Sequence, residues 1–156
     1  MTAPYQLLLN AIVTKVNGLS LTYQGNTVTA AVKKLPTAEE TLDTLPTCAV
    51  VPGDKPERDV PLCFGYRKLE YTCDVVVIGA SEGEVTTGLS DMITLRDQIS
   101  AAFETPVSLA VSGLYATQIS YEVVVDKSIL NQNYDYSAMR LTFWVRRAVG
   151  QAGGGG

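Results

Sequence analysis

Tyr66-Arg67-Lys68-Leu69-Glu70-Tyr71-Thr72-Cys73-Asp74-Val75-Val76-Val77-Ile78-Gly79-Ala80 is the most legible run in the chain. Leu69, Tyr71, Cys73, Val75 and Val77 fall on one side of an extended chain, and Lys68, Glu70, Thr72 and Asp74 on the other. That period of two belongs to a half-buried strand, because successive side chains of an extended backbone point to opposite faces. At Val76 and Ile78 the second side turns apolar as well. The far end of the strand is therefore predicted to be covered on both faces, by a helix, a loop or another protein chain. Such a strand belongs in the middle of a sheet.

Upstream, Tyr5, Leu8, Leu9, Ile12, Val13 and Val16 recur at spacings of three and four, the stripe of an amphipathic helix over 2–16. Thr2 suits its cap, Pro4 its first turn and Gly18 a left-handed stop. Gln24-Gly25-Asn26 reads as a turn, followed by a β-branched strand over 27–32. Pro36 and Pro46 argue against a strand over 33–47, which reads as an exposed excursion. Cys48–Val51 reads as a short strand ended by a turn at Pro52-Gly53, with a charged loop over 54–58.

Downstream of Ala80, Ser81 to Glu84 reads as a loop or hairpin tip. A second helix follows, capped by Ser90 or Thr87, with Leu89, Met92, Ile93, Leu95, Ile99, Ala102 and Phe103 as its buried stripe. Two more strands are expected. Tyr115, Thr117, Ile119, Tyr121, Val123 and Val125 share a face in the first, and Met139, Leu141, Phe143 and Val145 in the second. The sum is a single α+β domain over 1–148: a mainly antiparallel sheet of about five strands with two helices packed on one face. Residues 149–156, ending in four glycines, read as a flexible tail.

Composition narrows the function. A chain of 156 residues is long enough to bury a core without staples, and no apolar run approaches the about 20 residues that a membrane span needs. The start, Met-Thr-Ala-Pro-Tyr, lacks the basic and apolar regions of a secretory leader, which predicts a cytoplasmic site of synthesis and residence. Three cysteines, Cys48, Cys63 and Cys73, cannot all pair within one chain and read as buried thiols. A net charge of −4 argues against a protein that works by neutralising nucleic-acid phosphates.

Without a single histidine, the commonest general base and the commonest metal ligand are both missing. No nucleophile elbow, phosphate-binding glycine loop or calcium-binding loop spacing is present, so neither an enzyme nor a bound cofactor is expected. The residues that stand out belong to surfaces. Trp144 lies opposite Phe143 in the strand alternation and is flanked by Arg140, Thr142 and Arg146, and Trp and Arg are enriched at interface hot spots. Val76, Ile78 and Val124 would extend the same patch, giving an apolar strip rimmed by arginines. The competing reading is that Trp144 only covers a helix of its own chain.

Several stretches, taken with the order of elements, resemble the tail terminator (tail completion) proteins of long-tailed bacteriophages. They are the N-terminal helix, Leu45-Pro46 with Cys48-Ala49-Val50-Val51-Pro52-Gly53, the strand over 66–78, Leu95-Arg96-Asp97-Gln98-Ile99, and the closing strand over 136–147. The resemblance implies a homo-oligomer, a hexameric ring seated on the last ring of tail-tube protein, which ends tube growth and presents a joining surface to the head-completion or connector protein. It implies a place at the head-proximal end of the virion tail, assembled in the host cytoplasm, with DNA passing through the ring without specific binding. An acidic chain suits such a lumen, and Glu39, Glu40, Glu82 and Glu84 are the candidate lumen or ring-face acids. Another neck component or a minor tail protein is the nearest alternative. A small cytoplasmic α+β binding domain or enzyme is the alternative from another class.

Overall fold

The computed structural model describes residues 4–33, 45–61, 66–80, 85–105, 109, 111–121 and 134–148. Helix α1 spans Pro4–Gly18 and α2 spans Val85–Ala102. Strands β1 (Thr22–Tyr23) and β2 (Asn26–Thr27) form a small antiparallel hairpin. The main sheet is built from β3 (Thr29–Val32), β4 (Thr47–Pro61), β5 (Tyr66–Ala80), β6 (Leu114–Ser120) and β7 (Tyr134–Ala148), in the spatial order β3-β4-β5-β7-β6. Only β3 and β4 run parallel; the other three pairings are antiparallel. The α+β architecture stands as predicted, with β5 at the centre.

One face of the sheet carries both helices. Leu8, Leu9, Ile12 and Val16 of α1 and Met92, Leu95 and Ile99 of α2 share a single buried cluster with Leu69, Tyr71, Cys73, Val75 and Val77 of β5 and Met139, Leu141, Phe143 and Val145 of β7. Aromatic contacts fix the helices on it. The Tyr5 ring stacks on Tyr71 at 5.5 Å while its hydroxyl donates to the Thr72 carbonyl at 2.6 Å, and Phe103 meets Phe143 edge-on at 6.4 Å. No helix among the described residues is long and apolar enough to cross a membrane.

Local chemistry departs from the expectations at several places. Gly18 closes α1 without a left-handed backbone; the positive φ falls on Ser20, at 52°. The β1–β2 turn puts Gln24 at φ 48° and Gly25 at φ 79°. Both central residues are left-handed, as the tightest hairpin turn requires.

Pro52-Gly53 does not end β4. The strand continues to Pro61 through an irregularity in which Pro52 pairs with Cys73 and Glu57 already with Tyr71. Proline cannot donate to a ladder, so the chain bulges there and resumes pairing. Helix α2 begins at Val85, which places Thr87 and Ser90 inside it rather than at its cap. Packing of its stripe outweighs the weak helix propensity of Thr86, Thr87 and Gly88.

At β6 the alternation slips by one. Leu114 pairs with Val145 and Ala116 with Trp144, so Tyr115 is the extra residue of a bulge. Leu114, not Tyr115, then packs against the core, and Tyr115 is exposed. Val123 to Val125, Thr2, Cys63 and residues 149–156 lie outside the described residues.

Candidate interaction surface

The face of the sheet away from the helices has two unlike halves. Toward the Ala80 end, Ala49, Val76 and Ile78 form a second, smaller buried cluster packed by Leu45, Val51, Tyr136 and Ala138. Val76 is 0% exposed and Ile78 is 1% exposed. The expectation that both faces of this strand end are covered is met within the chain itself. Placing Val76 and Ile78 on an intersubunit surface is corrected: the chain entering β4 at Leu45 and the Tyr136 ring beside Ile78 remove them from contact with anything outside.

Toward the Tyr66 end the same face is polar and open. In register across the sheet stand Lys68, Glu70, Thr72 and Asp74 of β5, Arg146, Trp144, Thr142 and Arg140 of β7, and Ala116, Gln118 and Ser120 of β6. The side chains are joined in cross-strand pairs. Trp144 donates from Nε1 to Glu70 Oε2 at 3.0 Å, and Lys68 Nζ sits 4.8 Å from the centroid of its ring. Arg140 engages Asp74 with two donors, Nε to Oδ1 at 2.8 Å and Nη2 to Oδ2 at 3.2 Å. Arg146 lies over the exposed Tyr66 ring at 5.0 Å.

This geometry answers what Trp144 covers. Phe143 is fully buried in the helix-side core and Trp144 projects the other way, half-buried, with no helix above it among the described residues. Arg140 and Arg146 flank it on the same face, as predicted. The apolar cluster does not adjoin it. Ala138 stands six residues before Trp144 along β7, about 20 Å at the strand rise. The strip is therefore not a continuous apolar one; it is a single indole among polar and charged side chains. Val124, Glu39, Glu40, Glu82 and Glu84 lie outside the described residues.

The sequence reading also missed a part-buried polar contact. Tyr23 packs its ring on the bare α-carbon of Gly79 and donates its hydroxyl to Asp135, the residue paired with Gly79 across the sheet. Gly79 and Tyr23 are far apart in sequence, so only the fold brings them together. The thiols of Cys48 and Cys73 are both free and buried on the core face. Burial pushes Cys48 up to about 12, and burial with the nearby Asp74 charge pushes Cys73 up as well. Lys33, at the end of β3, donates to the Thr47 hydroxyl, and burial lowers its pKa. Among the described residues no three His, Cys, Asp or Glu side chains gather as a metal site.

No protein-family model and no curated protein matches this chain.

Proposed function

We propose that this chain is a structural assembly subunit, a tail terminator that closes a bacteriophage tail tube as a ring and offers the joining surface for the head. One observation carries the assembly reading: the open sheet face, where a half-buried indole is steered by Glu70 and Lys68 between Arg140 and Arg146. A Trp held in one orientation within a polar rim has the make-up of an interface centre. The tail reading is supported by the resemblance of the N-terminal helix, the 45–53 and 66–78 stretches, the second helix and the closing strand, on a chain of α+β architecture. The reading includes no catalysis and no cofactor, and the net charge of −4 favours passage of DNA without capture.

The test is assembly. Purified protein, alone and mixed with tail tubes, is followed by sedimentation and by electron microscopy. Rings, or caps at one tube end, are the expected result. A monomer at all concentrations with tubes left uncapped overturns the proposal. Trp144→Ala is expected to abolish capping while thermal unfolding shows a folded monomer; unchanged capping would remove the sheet face from the interface.

A further inference from the structure

On the helix side of the molecule, Arg96 of α2 carries a donor that the described residues leave unsatisfied. Its Nε is buried and has no hydrogen-bond partner among the described residues. The neighbouring Asp97 comes no nearer than 3.8 Å, beyond hydrogen-bond range, and adjacent helical residues do not face each other. A buried donor of this kind carries a desolvation cost until an acceptor reaches it. The guanidinium is nevertheless held in place. It lies 4.7 Å from the centroid of the Tyr121 ring, and the Tyr121 hydroxyl is tied to Ser100 Oγ at 2.9 Å, one helical turn beyond Arg96 on α2. Arg96 is thus positioned by stacking, with its Nε–H uncommitted among the described residues.

A cleft of about 270 Å³ opens at this point, lined by Ile93 and Arg96 of α2, Tyr121, and Tyr136, Ser137 and Ala138 of β7. Ile93 is 41% exposed and Tyr121 51% exposed. The volume falls just under the range of about 300–1,000 Å³ typical for small-molecule sites, and suits one side chain better than a cofactor. A planar guanidinium selects a carboxylate by paired hydrogen bonds. Exposed apolar side chains such as Ile93 and Tyr121 add nothing for a free inorganic anion, whereas they bury the neighbours of an acidic residue on a polypeptide.

We infer that this cleft is a docking site for an acidic side chain, Asp or Glu, of another protein chain, flanked there by apolar residues. Arg96 receives the carboxylate, Tyr121 orients Arg96, and Ile93 with Tyr121 covers the flanking residues. The inference does not depend on the tail-terminator reading, since any partner presenting that chemistry satisfies it.

The test uses the full chain, isotope-labelled, with NMR detection of the Arg96 Nε–H and the Tyr121 ring. The probes are a capped Leu-Glu-Leu peptide, its Leu-Gln-Leu counterpart, sodium acetate and inorganic phosphate. Saturable shifts at both groups with the Glu peptide are expected, at least about tenfold weaker with the Gln peptide and with acetate, as one lost charge-assisted bond implies. Arg96→Gln should remove the response, and Arg96→Lys, which retains the charge and the fold, should weaken it. Equal binding of both peptides would overturn the role of charge. Phosphate or acetate binding as tightly as the Glu peptide would overturn the protein partner. No saturation with any probe would overturn the site.

Discussion

Gly79 has no room for a side chain, because a Cβ there would overlap the Tyr23 ring. Gly79→Ala is therefore expected to lower unfolding stability by about 1–3 kcal/mol, the usual cost of overpacking, measured by urea denaturation. Replacing Tyr23 by Leu in the same chain should recover part of that loss, since the obstacle is the ring. The cysteines make a second residue-scale prediction. The folded chain keeps Cys48 protonated to about 12, while an unfolded chain ionises it near 9.0. Between those values the folded state binds more protons, so the stabilising contribution is complete below pH 9 and is lost as pH rises toward 12. Lys33 runs the other way: its lowered pKa makes the folded chain bind fewer protons, a cost that fades as pH rises to 10.5. Cys48→Ala should flatten the alkaline loss of stability, and with Cys63 replaced by Ser both remaining thiols should react with a disulfide reagent only as fast as the chain unfolds. Fast labelling in the folded protein would contradict their burial.

At the scale of elements, α1 and β3 are joined by a side chain that acts as backbone. Asn17 accepts from the Ala30 N–H at 2.8 Å and donates to the Ala30 carbonyl at 3.3 Å, continuing the ladder of the edge strand into the helix end. Asn17→Ala is expected to cost about 1–2 kcal/mol for the two bonds lost and to speed hydrogen exchange at Ala30 more than in the centre of β5. Elements with an unbroken period were legible in the sequence. The bounds of β5 and the buried stripe of α1 follow from local alternation, and the structure reproduces both. Elements whose shape depends on a partner were not. Pro52-Gly53 has the chemistry of a turn, yet pairing with β5 resumes beyond it; an extra residue at Tyr115 shifts the faces of β6 without changing its composition. Ile93 falls in the apolar stripe of α2 by spacing, yet it is exposed.

For the whole molecule, alternation in the sequence puts Trp144, Arg140 and Arg146 on one face but misjudges how far that face extends. Trp144, Arg140 and Arg146 share the side of the sheet free of helices, but Val76 and Ile78 are sealed by Leu45 and Tyr136. What remains open is a ladder of pairs: Glu70 with Trp144, Asp74 with Arg140, Lys68 with the indole. Sequence alone cannot draw that ladder, because the register between β5 and β7 is set by the fold. On the proposed ring reading, the character of the face dictates how self-association should respond to salt. An apolar interface tightens or stays unchanged as salt rises, whereas exposed charges meeting across subunits lose their attraction. Raising sodium chloride from about 0.1 M to about 1 M shortens the screening length from about 10 Å to about 3 Å. Two or three rim pairs weakened in this way should raise the concentration for half-association about tenfold. Mass photometry across that series measures it, with Arg140→Gln as the internal check: Arg140 is 43% exposed over an Asp74 that is only 11% exposed, so the variant should both weaken association and reduce its salt dependence. Association that strengthens with salt would assign the contact to an apolar surface elsewhere, and Trp144 would then be an ornament of the sheet rather than the centre of an interface.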